Sequence, residues 1–128
     1  MVSKGWKIAV ILVIALVVCL AAIAIESQTK IIRLTYDNFV LDNKNHYLPC
    51  EKLPTEANLR ETVQQHQDTV QAIEQVNPGA VGIEIDTSIC PGRADLVIWY
   101  ASHQDREAID SIIGSASFFG VPYRLQNR

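Results

Sequence analysis

At 128 residues the chain has room for one globular domain and one further segment, and its 48% hydrophobic content is high for a wholly soluble protein. With Lys4 and Lys7 set aside, the part from Glu26 onward carries nine Lys and Arg against fourteen Asp and Glu, a net of −5. It has no basic cluster, so it lacks the charge that neutralises phosphate in nucleic-acid binding and gains nothing from anionic lipid headgroups.

Residues 1–7, MVSKGWK, form a short positive tail. Residues 8–25, IAVILVIALVVCLAAIAI, are uncharged throughout. As a helix they would span roughly 27 Å, close to the hydrocarbon thickness of a bilayer, and the expectation is a single transmembrane helix serving as a signal anchor. Trp6 and Lys7 then fall at headgroup level as anchors. Ala22-Ile23-Ala24 also fits a cleavage pattern, so a cleaved signal is the alternative; an apolar run longer than that of a usual signal favours retention. Lipoprotein processing at Cys19 would need a small residue before it, and Val18 stands there. Lys4 and Lys7 on one side balance Lys30 and Arg33 on the other; the α-amino group and the short tail place the domain on the extracytoplasmic side.

Residues 26–30 read as a tether, and residues 31–128 as one small α/β domain. In KIIRLTY, Ile32, Leu34 and Tyr36 alternate with Ile31, Arg33 and Thr35, which predicts a first strand. Phe39 to Leu48 reads as a short hairpin around Asp42-Asn43-Lys44-Asn45. From Thr55, an N-cap, the residues Leu59, Val63, His66, Val70, Ile73 and Val76 recur at helical spacing until Asn77-Pro78-Gly79. Val81, Ile83 and Ile85 alternate with Gly82, Glu84 and Asp86 in a half-buried strand, and ADLVIWYA is apolar enough for a central one. Ser102 and Asp105 cap a second helix that ends near Gly114. Phe119, Val121, Tyr123 and Leu125 mark a last strand, which Pro122 confines to a sheet edge. The order βαββαβ corresponds to an α+β, ferredoxin-like domain, a four-stranded antiparallel sheet with two helices on one face. That fold hosts many unrelated activities and carries none with it.

Cys50 and Cys90 are the cysteines outside the apolar run, and in an exported domain the pair reads as a disulfide. Unpaired thiols or a reactive cysteine are the competing readings. His46, His66 and His103 have no metal-ligand spacing, and no phosphate loop or nucleophile elbow is present. No catalytic residue, metal or cofactor is assigned. Glu84 and Asp86 share a strand face, as any solvated strand would arrange them. Two phases are open for the central strand. In one, Leu96, Ile98 and Tyr100 face the helices, leaving Trp99 with Glu84, Asp86 and Arg33 on an open face that a partner could use; in the other, Trp99 is core.

These features point to a membrane-anchored, non-enzymatic interaction or assembly module, an accessory subunit of a membrane complex. Its partners would be membrane lipid through residues 8–25 and another membrane or membrane-associated protein, with no nucleic acid. A small-ligand sensing domain is the first alternative, and a thiol-dependent enzyme using Cys50 or Cys90 the second.

Overall fold

The computed structural model describes residues 4–128, so the first three residues of the expected 1–7 tail lie outside the described residues. The chain divides into two units, Met1–Arg33 and Leu34–Arg128. The first is dominated by α1 (Lys4–Thr29), a helix with no buried residue. By length and composition α1 is able to cross a membrane, which fits a membrane anchor or a signal sequence. The helix continues through Glu26 to Thr29, the stretch read as a tether. Lys30, with φ of 55°, interrupts it, and α2 (Ile31–Phe39) begins at once. Both carboxylate oxygens of Glu26 accept from the first backbone N–H groups of α2, Ile32 at 2.7 Å and Arg33 at 3.3 Å. A carboxylate at that helix end satisfies donors that have no partner inside the helix.

The predicted first strand is therefore corrected: residues 31–39 are helical. A short run in which Ile32, Leu34 and Tyr36 alternate also places Ile32, Tyr36 and Phe39 at i, i+4 and i+7, and the Glu26 cap decides between the two periods. The predicted hairpin is absent as well. Its first arm finishes α2 and Asp42 takes a left-handed conformation, with φ of 53°. Beyond it the chain runs extended and forms one backbone bridge to the sheet, where Lys44 and Leu125 exchange both backbone hydrogen bonds at 2.9 Å.

A turn of 3₁₀-helix (Cys50–Lys52) leads to α3 (Glu56–Gln65). The Thr55 hydroxyl caps it, accepting from the Asn58 N–H at 3.2 Å. The single helix expected from Thr55 onward is broken at His66, with φ of −121° and ψ of 38°, and resumes as α4 (Gln67–Glu74). Then come β1 (Gly82–Asp86), β2 (Asp95–Tyr100), α5 (His103–Ile113) and β3 (Tyr123–Asn127). Ser102 caps α5, and Gly114 ends it in the left-handed region at φ of 65°.

The unit Leu34–Arg128 is thus α+β with a three-stranded sheet in the order β1-β2-β3. The four-stranded antiparallel ferredoxin-like arrangement is corrected on two counts. One strand is missing, and β3 pairs parallel to β2 while β1 pairs antiparallel. A parallel neighbour needs a crossover, which α5 supplies as the helix of a βαβ unit. β3 lies at the edge with Pro122 immediately before it, in keeping with the missing proline N–H. Leu96, Ile98 and Tyr100 of β2, with Leu125 of β3, pack against Leu59, Ile73 and Ile109 of the helices and against Phe118. Of the two phases open for the central strand, the one that turns Trp99 away from this core is adopted.

Candidate functional site

The second face of the sheet is built by strict alternation. With Leu96, Ile98 and Tyr100 committed to the core, Asp95, Val97 and Trp99 must project the other way. The register sets Gly82 beside Trp99, Glu84 beside Val97 and Asp86 beside Asp95 on one flank, and Arg124 beside Val97 and Gln126 beside Trp99 on the other. Within this unit, α3 and α4 contact the opposite face, where the core lies.

The charges on this face are paired with one another, two guanidinium groups serving three carboxylates. Arg124 donates through Nε to Asp95 at 2.6 Å and through Nη2 to Asp86 at 2.9 Å. Arg128 grips Glu84 with both terminal guanidinium nitrogens, at 3.2 and 2.5 Å. Asp95 is 2% exposed, so its charge requires such partners. It has a second in His46, whose Nε2 lies 2.9 Å from its other oxygen. The Leu48 N–H donates to His46 Nδ1 at 3.1 Å, which makes Nε2 the protonated nitrogen that donates to Asp95. With its lone pair held by a backbone N–H, this imidazole is a structural link and has no free site to take a proton from a substrate. Asp86 is held below the ordinary carboxylate range by hydrogen bonds from the Ser88 hydroxyl and N–H, with Arg124 adding to them against the opposing effect of burial. It stays anionic, whereas a general acid must hold its proton.

Trp99 is the large apolar group here. Its indole is half-buried and lies against Gly82: a Cβ at that position would sit 2.3 Å from Cζ2 and 2.6 Å from Cε2. A glycine in a strand marks such a close approach.

Trp99, Glu84 and Asp86 thus share one face, as in one of the two phases the sequence left open, and sequence reasoning missed the bases that pair with the acids. Arg33 is not among them. It lies on α2, with its Nε 3.6 Å from Glu26. The bases on this face are Arg124 and Arg128, and the alternation of Tyr123 and Leu125 with Arg124 and Gln126 was the signal that could have found Arg124. Trp6 and Lys7 both lie in α1.

Cys50 and Cys90 form a disulfide with Cα atoms 5.6 Å apart. It ties the 3₁₀ turn to the loop between β1 and β2, and it leaves neither sulfur as a thiolate. Cys19, the free cysteine, is in α1. The three histidines go to separate places: His46 to Asp95, His66 to a stack on Phe119 at 3.4 Å between ring centroids, and His103 to Asp42 at 2.7 Å. Among the described residues no three His, Cys, Asp or Glu side chains converge as they would around a metal.

A second polar cluster lines an open cleft of 690 Å³. Arg106, 8% exposed, donates to Asp42 at 2.8 Å and to the side chain of Asn38. Burial raises the Asp42 carboxyl, but hydrogen bonds from His103 and Arg106, with their charges, outweigh it and hold the group below 3.8. The Tyr100 hydroxyl donates to the Asp42 carbonyl; burial foremost, with the Asp42 charge, pushes this phenol up to about 12.

Fold and site together define a small disulfide-bonded α+β domain that follows an apolar helix in the chain, with a charge-paired sheet face that includes a tryptophan. No family model, no curated protein and no solved structure matches the chain.

Proposed function

We propose that this protein is a single-pass, membrane-anchored interaction module whose domain lies on the extracytoplasmic side and docks a membrane or membrane-associated protein through the second sheet face. The observation that carries the reading is Trp99, a half-buried indole seated on Gly82 amid charges that are already paired. Partners compete poorly for charges that are fully solvated, but a half-buried aromatic on a face whose charges are already paired has the composition of a binding hot spot. The disulfide supports an oxidising compartment for the domain. With both domain cysteines bonded, nothing favours the thiol-enzyme alternative. For small-ligand sensing the cleft of 690 Å³ is the relevant feature, but its polar groups Asp42, Asn38, His103 and Arg106 are spent on one another, which favours the sheet face.

The test is crosslinking and detergent co-purification of the full chain from its native membrane. A defined partner recovered with the wild type and lost with Trp99→Ala supports the reading; recovery of monomer alone from both overturns it.

A further inference from the structure

Helix α2 is amphipathic in the wrong sense for a helix on the surface of a soluble domain. Its polar residues Asp37 and Asn38 engage the domain: the Asp37 carboxylate accepts from the Tyr47 hydroxyl at 2.6 Å, and Asn38 accepts from Arg106. Ile32, Tyr36 and Phe39 turn outward, and Leu34 is the least exposed apolar residue of the helix. At 100° per residue, Ile32, Tyr36 and Phe39 fall within about 60° of arc. Ile32 is 63% exposed and Phe39 80%, and Val40 and Leu41 prolong the exposed apolar run past the helix.

We infer that the apolar face of α2 is seated in the headgroup region of the bilayer that α1 enters, as an interfacial helix. Only Lys30 separates α2 from α1. If α1 spans the membrane, chain connectivity holds the start of α2 at the bilayer surface, and at about 1.5 Å per residue even Phe39 lies within roughly 15 Å of the end of α1. The surface that covers Ile32, Tyr36 and Phe39 must be apolar and already present where α1 emerges, and the lipid interface meets both conditions. Lys30 just before α2 and Arg33 in its first turn carry charges suited to the headgroup level. The attachment is apolar, so it does not depend on anionic lipid. It rests on the anchor reading.

The experiment uses the full chain with Cys19→Ala and one added cysteine, Phe39→Cys or Arg60→Cys, carrying a fluorophore attached without reductant. The chain is reconstituted in phosphatidylcholine vesicles. The label at position 39 is expected to be quenched by brominated acyl chains and shielded from aqueous iodide, with the position 60 label showing the reverse. The vesicles are also floated on a density gradient. Failure of the chain to float removes the anchor and this inference with it. Flotation with the position 39 label as open to iodide as the position 60 label overturns the inference alone. So does shielding at 39 without bromolipid quenching that grows with protein density in the vesicle, since a second copy then covers the helix.

Discussion

The indole of Trp99 occupies the space in which residue 82 would carry a side chain, so the two positions are one unit. Gly82→Ala places a methyl inside the ring's contact distance, and the ring must lift off the strand. The expected cost is about 1–3 kcal/mol in urea unfolding, with a red shift of Trp99 emission as the indole enters water. A second residue under constraint is Phe119. Phe118 and Val121 exchange backbone hydrogen bonds at 2.8 and 3.0 Å around Phe119 and Gly120, which have φ of 49° and 86°. Two successive positive φ values are those of a type I′ turn, and a side chain at the first is strained there. Phe119 gains its stack on His66 in return. Phe119→Ala is expected to lose about 0.5–1.5 kcal/mol of ring contact and to keep the strain. Phe119→Gly loses the ring but relieves the backbone, so it should be more stable than the alanine variant by about 1 kcal/mol. Thermal unfolding of the two variants side by side reads the difference.

Among the elements, the connections carry as much consequence as the helices and strands. The disulfide closes a segment of 40 residues that holds α3, α4 and β1. In the chain-entropy treatment a loop of that length contributes about 4 kcal/mol, a large share of the stability of one small domain. Reduction, or paired Cys50→Ser and Cys90→Ser replacement, is expected to lower the urea midpoint accordingly while leaving the core packing of β2 intact. The element misread from sequence is α2, and the reason is local. Nine residues are too few for one period to dominate the other. Its outward-facing apolar side also inverts the pattern by which surface helices are recognised. The break at His66 escaped notice for a related cause: Leu59, Val70 and Ile73 keep helical spacing across it, and the stack on Phe119 that accompanies the break involves a residue more than fifty positions away.

Over the whole molecule, the titrating groups define a stability profile with two limbs. Asp42 and Asp86 have folded values below 3.8, so the stability they contribute is complete above that value and is lost as the pH falls through the lower folded ones. Tyr100 ionises near 10.0 when unfolded and about 12 when folded, so its contribution is intact below 10.0 and declines between the two. The melting temperature is therefore expected to be flat from about pH 5 to about pH 9 and to fall on either side. Asp42→Asn should reduce the acid limb. It should also lower stability at neutral pH by about 3 kcal/mol, because it strips a carboxylate from the nearly buried Arg106.

The features that local chemistry controls were legible from the sequence alone. An uncharged run of bilayer length is apolar in any context, Thr55 and Ser102 cap the helices that follow them, period-two alternation marks β1 and β3, and the apolar run of β2 marks the centre of the sheet. Each depends on neighbours within a few positions. Only the tertiary structure decided which strand β3 would join and in which direction, and that Arg124 and Arg128 would serve the acids of β1 and β2. Those outcomes rest on contacts between segments dozens of residues apart, whose free energies appear in no local window of the chain.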